Sequence, residues 1–299
     1  MDLSTIWDLF VTGVLRGGLY ALMAGGLALL FGVMNICNFA HGELFIIGSY
    51  VAYFAHVTFG LNPLLAILVA AAGSFVAGIL IEKTFFSTLR KTSKGEWVMN
   101  AFLVTLGVSV VFQNGAQLIW GVKYRGITQY WGGTVQITPR MAIAADRAVA
   151  FLISIGAIVL FWLFMRRTQI GRAIRAVSQN ERGAMLVGID LNMIHTLTFA
   201  LGSMLAGLGG ASLLSLVPAY PFAGVKPNIR SWFVVTVVGL GNVGGSIVGG
   251  FIVGLLESFA YYFLGQGWQD VASLVMLILL LLFKPSGLFG SEVKGVLER

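Results

Sequence analysis

The feature of this sequence that most constrains its fold is a series of long apolar runs. They cover residues 9–33, 40–59, 63–82, 97–120, 148–165, 193–217, 231–265 and 271–283. About 20 apolar residues in a helix are enough to cross about 30 Å of hydrocarbon. A transmembrane β-barrel needs short strands of alternating polarity, and the sequence lacks that pattern. We therefore expect an all-α, polytopic transmembrane helical bundle.

The composition excludes a water-soluble globule. Of the 299 residues, 58% are hydrophobic and only 10% are charged, whereas an average soluble domain has roughly 25% charged residues. The net charge of +7 does not indicate nucleic-acid binding, because the basic residues lie in a few loops that flank apolar runs. The single cysteine, Cys37, excludes an intrachain disulfide and a cysteine-based metal site. Because no linker or soluble segment interrupts the chain, we expect residues 1–299 to form one membrane domain.

The basic loops set the expected topology. The loops at 82–96 and 166–192 are rich in Lys and Arg and are separated by two spans, so both are expected in the cytoplasm. The run 231–265 is too long for one ordinary span and is interrupted by GLGNVGG at 239–245. If that run crosses twice and the weakly basic tail is cytoplasmic, the chain has nine spans and a periplasmic N-terminus. Eight spans are the alternative, and in either case the basic loop 121–147 lies outside, against the rule.

Catalytic machinery is not visible in the sequence. The phosphate-binding pattern GxxxxGK[ST] is absent, and so is the GxSxG pattern of serine hydrolases. The histidines His41, His56 and His195 are too scattered to predict a metal cluster. We expect no catalytic residue, no metal and no cofactor.

A polar segment, MNICNFAHGE at 34–43, interrupts the first two apolar runs. It contains Asn38, His41 and Glu43, which are expensive in or near hydrocarbon and tend to face a cavity or a partner when they occur there. Two interpretations stay open: a short turn in which Asn38 caps the next helix, or a broken helix that lines a solute path.

Further polar residues lie within the apolar runs. Gln113 and Asn114 are in the run 97–120, and Glu257 is deep in the run 231–265. They are candidates for a solute path, and the alternative is bonding or charge pairing between helices. The glycines of GLGNVGGSIVGGFIVG at 239–254 favour close helix packing over pore lining.

The segment GRAIRAVSQNERGAMLVGID at 171–190 has the spacing of an amphipathic helix. On such a helix Ile174, Val177, Met185 and Leu186 share an apolar side, and the arginines spread over the other faces. The helix would lie on anionic lipid or dock onto a soluble partner, and composition alone does not separate these uses.

Four segments together resemble the permease subunits of branched-chain amino-acid ABC importers. They are NFAHGELFIIGSYVAYF at 38–54, GRAIRAVSQNERGAMLVGID at 171–190, VGLGNVGGSIVGGFIVGLLE at 238–257 and FKPSGLFG at 283–290. The resemblance covers nearly the whole chain. It departs from the pattern at Arg175-Ala176-Val177, where such loops often start with Glu-Ala-Ala, and in the glycine stretch, where relatives often carry a proline.

The resemblance implies a non-catalytic, multi-pass subunit of the bacterial inner membrane that imports branched-chain or other hydrophobic amino acids by alternating access. Its partners would be cytoplasmic ABC ATPase subunits, a second permease (similar or identical), a periplasmic solute-binding protein and membrane lipid, with no nucleic acid. The C-terminus would be cytoplasmic.

The resemblance places ATPase coupling in the loop 166–192. The positions singled out there are Gly171, Arg172, Arg175, Ala176, Glu181 and Gly188. The expected path residues are Asn38, His41, Glu43, Gln113, Asn114 and Glu257. Import of urea, short amides or aromatic acids by a similar permease is an alternative, as is an ion-coupled secondary transporter that works alone. A membrane enzyme is disfavoured because no catalytic cluster is visible.

Overall fold

A computed structural model describes residues 3–93, 97–138 and 141–290. The elements are α1 (Leu3–Met34), α2 (His41–Tyr53) with a π-helical turn (Phe54–Thr58), α3 (Pro63–Ile81) with a π-helical turn (Glu82–Phe86), α4 (Ser87–Thr92), α5 (Trp97–Trp120), β1 (Thr134–Thr138), β2 (Met141–Ala144), α6 (Ala145–Arg167), α7 (Gln169–Gln179), α8 (Glu181–Leu186), α9 (Leu191–Ser212), α10 (Val225–Val238), α11 (Val243–Leu264) and α12 (Trp268–Phe283). The strands form an antiparallel hairpin in which Thr134 is opposite Ala144.

The helices confirm an all-α polytopic bundle. Among the described residues, six helices are long and apolar enough to cross a membrane: Thr5–Met34, Pro63–Thr92, Trp97–Trp120, Ala145–Arg167, Leu191–Ser212 and Val243–Leu264. The expected count of eight or nine spans is not confirmed, because α2, α10 and α12 have only 13, 14 and 16 residues. At 1.5 Å per residue, α10 is about 21 Å long, less than the hydrocarbon thickness. The charged tail after Gly290 lies outside the described residues.

Glycine allows α1 and α11 to pack in close contact at the centre of the bundle. A Cβ atom on Gly254 would lie 2.5 Å from the backbone nitrogen of Gly17, and one on Gly250 would lie 2.5 Å from that of Ala21. Real side chains do not approach a backbone so closely, so these positions require glycine. The close-packing interpretation of the glycine stretch is therefore confirmed.

The predicted interruption of the run 231–265 is also confirmed. α10 ends at Val238 and α11 begins at Val243, with Asn242 accepting a hydrogen bond from the N–H of Gly245 as the N-cap. Gly239 and Gly241 have φ values of 112° and 82°. These positive values favour glycine, because a Cβ atom would be strained there.

The two short helices α2 and α10 begin inside the bundle, with their N-termini against each other. A Cβ atom on Gly42 would lie 2.9 Å from the Cβ of Asn228, and one on Gly224 would lie 3.0 Å from the Cα of Gly42. His41 packs against Gly26, in the interior of α1 rather than at its end. Both helices therefore start where the chain is surrounded by other helices.

One end of the bundle carries most of the described basic residues. The end of α1, the end of α6, helix α7, the 240–244 turn and Phe289 line a single groove there. The basic residues of the connection from α6 to α9 lie at this end: Arg166, Arg167, Arg172, Arg175 and Arg182. We call it the basic end.

Candidate solute path and coupling surface

Segment 35–40 connects α1 to α2 by a polar turn. Asn35 has a φ of 53°, a left-handed conformation that asparagine adopts more readily than most residues. The Oδ1 of Asn38 accepts a hydrogen bond from the N–H of Ala40 at 3.0 Å. Ala40 itself is the N-cap of α2 and has no side chain to cap with. Asn38 therefore orders the turn before the helix instead of capping the helix.

Three predicted path residues, Asn38, His41 and Glu43, are buried, with exposed fractions of 1%, 0% and 4%. The Nε2 of His41 donates to the carbonyl oxygen of Met23 at 3.1 Å. The Oε1 of Glu43 accepts hydrogen bonds from the Ser109 hydroxyl and the Gln113 amide, both at 2.8 Å. The structure thus brings Gln113 of α5 together with Glu43 near the start of α2.

Phe39 connects this turn to α5 and α10. Its N–H donates to the Oγ1 of Thr105 at 3.2 Å, and its carbonyl oxygen accepts from the Nδ2 of Asn228 at 2.8 Å. Its ring stacks on Trp232 at 5.0 Å between centroids and meets Phe102 edge-on at 5.5 Å. We call these contacts the helix junction.

Polar atoms at the helix junction are left without partners among the described residues. They are the Nδ2 of Asn38, the Oδ1 of Asn228 and the Nε1 of Trp232, all of them buried. A buried polar group without a hydrogen-bond partner destabilises the fold by about 1–3 kcal/mol. These three atoms can therefore each accept or donate a further hydrogen bond. Sequence reasoning missed Asn228 and Trp232. The polar stretch KPNIRS at 226–231, just before an apolar run, could have pointed to this region.

Glu257 belongs to a different cluster. Its carboxylate is fully buried and accepts hydrogen bonds from the Tyr20 hydroxyl at 2.7 Å and from the Nε of Arg230 at 3.1 Å. Arg230 also donates to the Oδ1 of Asp270 at 3.1 Å. This cluster joins α1, α10, α11 and α12. The charge-pairing interpretation of Glu257 is confirmed, and the structure does not bring Glu257 to Glu43.

Asn114 is exposed, and its Nδ2 donates to the carbonyl oxygen of Val110 in its own helix at 2.8 Å. The structure does not place it with the other predicted path residues.

A cavity of about 260 Å³ lies between α2 and α5. Its lining is almost entirely apolar and aromatic, and comprises Glu43, Ile46, Ile47, Tyr50, Val111, Phe112, Gly115, Ala116, Ile119 and Trp120. Its wall contains one of the predicted path residues, Glu43.

Residues 169–190, which we call the coupling surface, form two helices instead of the one predicted. Asn180 is extended (φ −156°, ψ 101°), and its Oδ1 accepts from the N–H of Gly183 at 2.8 Å as the N-cap of α8. This break resets the helical phase. Ile174 and Val177 are buried as predicted, whereas Met185 and Leu186 are not, so their predicted place on the same apolar side was wrong.

The exposed part of the coupling surface is apolar at its tip. Leu186 and Val187 are 89% and 77% exposed and follow Met185, which is 50% exposed. Among the predicted coupling residues, the side chains of Arg172, Arg175 and Glu181 are exposed and Ala176 is half-buried.

Gly171 and Gly188, the two glycines among the predicted coupling residues, shape the backbone of the coupling surface. A Cβ atom on Gly171 would lie 2.6 Å from the Cα of Met165, so Gly171 lets α7 pack on the end of α6. Gly188 has a φ of 84°, and Asp190 then caps α9 by accepting from the N–H of Asn192 at 2.9 Å. Sequence reasoning missed Leu186 and Val187 because it placed them on a continuous helix.

Buried contacts also connect α3 to α9 near the basic end. Glu82 is fully buried, forms an ion pair with Arg90, and accepts a hydrogen bond from the Thr196 hydroxyl at 2.6 Å. Among the described residues, no group of three or more His, Cys, Asp or Glu side chains could hold a metal ion.

Comparisons with known proteins extend over nearly the whole chain. The profile of the family described as "Branched-chain amino acid transport system / permease component" matches residues 9–283. The high-affinity branched-chain amino acid transport system permease protein BraD of Pseudomonas aeruginosa is 28% identical over 296 residues, which are 96% of each chain. The corresponding permease protein LivH of Escherichia coli is 29% identical over 297 residues, which are 95% of this chain and 96% of LivH.

More distant sequence similarity extends to a further import permease. The ribose import permease protein RbsC of Escherichia coli is 26% identical over 253 residues, which are 80% of this chain and 73% of RbsC. Among solved structures, PsaBC from Streptococcus pneumoniae in complex with Fab matches with a TM-score of 0.47 at 11% identity, covering 94% of this chain and 95% of that chain.

Proposed function

The chain belongs to the family of permease components of branched-chain amino acid transport systems, and we propose that it is the membrane subunit of an ATP-driven importer. As a permease of this family, it is a multi-pass inner-membrane transport subunit and is not itself catalytic. The proposed cargo is a branched-chain or other hydrophobic amino acid, which crosses by alternating access. The whole described chain acts as one permease domain.

The observation that carries this proposal is the exposed apolar tip of the coupling surface. Leu186 and Val187 project from the basic end while the opposite faces of α7 and α8 are buried. Contiguous exposed apolar side chains among polar ones are typical of a surface that docks onto a protein. Since the sequence has no phosphate-binding loop, ATP hydrolysis requires another chain, and we assign this surface to an ABC ATPase.

We further propose that the solute passes the helix junction. Transporters often bind solutes where discontinuous helices start or end within the membrane, and α2 and α10 both begin at the junction. Phe39, in the turn before α2, is 36% exposed in the single chain, which suits a path shared with a second permease, similar or identical. The N-terminus is assigned to the periplasmic side, where a solute-binding protein would dock, and the basic end to the cytoplasm.

The experiment is reconstitution of the chain with its ATPases, second permease and binding protein in proteoliposomes. We expect uptake of radiolabelled leucine that requires ATP. Reversing the charges of the coupling surface (Arg172→Glu with Arg175→Glu), or making its tip polar (Leu186→Asp), should abolish co-purification of the ATPase and uptake. Membrane insertion should be unchanged.

The matched control reverses an exposed basic residue of the 121–133 loop, Lys123→Glu, and should leave assembly intact. Normal ATPase association in the coupling variants would contradict the assignment of this surface. Ion-driven uptake by the chain alone would contradict the importer as a whole and support a secondary transporter.

A further inference from the structure

We propose that the cavity between α2 and α5 binds the α-ammonium group and the aliphatic side chain of the transported amino acid. The inference rests on the proposed function and adds a recognition site to it. Its basis is the cavity's lining, the hydrogen bonds of Glu43, and a comparison of Glu43 with the other buried glutamates.

The lining suits a small apolar molecule with one positive charge. Glu43 is the one charged side chain among the described residues that line the cavity, and the remaining walls are aliphatic and aromatic. Pockets for drug-sized ligands have volumes of about 300–1,000 Å³, so a cavity of about 260 Å³ suits a smaller metabolite. The Glu43 carboxylate attracts the ammonium group of an amino acid, and the α-carboxylate of the same solute would have to point away from Glu43 and out of the cavity.

The Glu43 carboxylate is held in place and retains a free acceptor. Its Oε1 accepts from both Ser109 and Gln113, which fixes the plane of the group against α5. No described residue donates a hydrogen bond to its Oε2. An ammonium group has three N–H donors and can supply that hydrogen bond together with the missing positive charge.

The two other buried glutamates, Glu82 and Glu257, both have a basic ion-pair partner, whereas Glu43 has none among the described residues. Glu82 forms an ion pair with Arg90, and Glu257 forms one with Arg230. Among the described residues, no basic side chain forms an ion pair with Glu43. A buried carboxylate is expensive unless it is paired, so a positive partner from outside the described chain would stabilise an ionised Glu43. A solute ammonium group can supply that charge, and a lipid acyl chain cannot.

The first test removes the charge of Glu43 and keeps its hydrogen bonds. In Glu43→Gln, the amide oxygen can still accept from Ser109 and Gln113, so a merely structural role would survive. Loss of a charge-assisted hydrogen bond should lower ATP-dependent leucine uptake in the reconstituted importer about 10- to 100-fold. Assembly with the ATPase should be unchanged, because Glu43 is not part of the coupling surface.

The second test fills the cavity. The wall residue Gly115 has no atom within 4 Å of an added Cβ, so Gly115→Leu should fold normally and occupy the space meant for the solute side chain. The matched control is Gly156→Leu in α6, where an added Cβ also meets nothing within 4 Å and which does not line the cavity. We expect at least about tenfold lower leucine uptake for the first variant and native uptake for the second.

Native uptake by Glu43→Gln would overturn the inference, and so would equal effects of the two leucine substitutions. Retention of a lipid acyl chain in the cavity, detected by mass spectrometry, together with native uptake by Glu43→Gln would assign the cavity to lipid and overturn the inference as well. Failure of the unaltered complex to take up leucine would instead contradict the proposed function, before any variant is compared.

Discussion

Arg230 connects the short helix α10 to α11 and α12, and its replacement by methionine should strongly destabilise the bundle. The guanidinium donates to Glu257 and to Asp270, both at 3.1 Å. Glu257 is fully buried, whereas the Asp270 side chain is 61% exposed. Breaking the buried pair with Glu257 should therefore destabilise the bundle more than breaking the exposed pair with Asp270.

Removing the guanidinium leaves the Glu257 carboxylate buried with the hydroxyls of Tyr20 and Ser273 and without its ion-pair partner. Breaking a buried pair by removing one partner costs about 3–5 kcal/mol, while an exposed pair such as that with Asp270 contributes about 0–1 kcal/mol. The variant Arg230→Met should therefore be less stable than the native chain by nearly the full cost of breaking the buried pair. The double variant Arg230→Met with Glu257→Gln removes the stranded charge and should recover about 3 kcal/mol, because replacing both partners is close to neutral.

The measurement is thermal unfolding of the purified chain in lipid nanodiscs. At about 2–4 °C per kcal/mol, the single variant should melt about 6 °C or more below the native chain, and the double variant should regain most of that loss. Asp270→Asn is the control and should melt within about 4 °C of the native chain, because its pair is exposed. A single variant as stable as the native chain, or a double variant no more stable than the single one, would refute the reasoning.

Two further substitutions test the helix contacts. Gly48→Ala should prevent α2 from packing on α9, because the new Cβ would overlap the backbone of Gly207; the yield of monodisperse protein should fall, while Gly156→Ala, which meets open space, should express normally. Asp190→Ala should destabilise the start of α9 by about 1 kcal/mol, because the N–H of Asn192 loses its acceptor. Asp190→Asn is the control, because asparagine can also cap a helix. An unchanged melting temperature for Asp190→Ala, or an equal decrease for Asp190→Asn, would contradict this.

The long helices were predictable because their length is set by the membrane and their sequences are continuously apolar. The sequence singled out Asn38, His41 and Glu43 as polar residues between two spans, but it left open whether they form a short turn or line a solute path. The partners of these residues did not follow from the sequence. Asn228 is 189 residues away from Phe39, and no local pattern connects two positions that only the folded bundle brings together.

The two-helix form of the coupling surface was missed although its signal is local. Asn180 is a favourable N-cap residue, and a break there rotates every later residue relative to the earlier ones. Periodicity measured across the break therefore placed Leu186 beside Ile174 on one buried side. In the structure Ile174 is buried and Leu186 is 89% exposed, and this difference produces the apolar tip assigned to the ATPase.

The contacts of α2 and α10 differ in kind, and this difference bears on where the bundle can change shape. α10 is fixed to α11 and α12 by the buried ion pair of Arg230, while α2 is fixed to α9 by glycine packing and to α5 by the hydrogen bonds of Glu43. Between α2 and α10 the described contacts are the close approach of Gly42 to Gly224, one amide that donates to the carbonyl oxygen of Phe39, and two stacked aromatic rings. A rearrangement that separates the two helix starts would break none of the described ion pairs. The proposed alternating access would therefore keep these ion pairs intact if it separates the two helix starts, and it would expose the unpartnered amide groups of Asn38 and Asn228 to the proposed path.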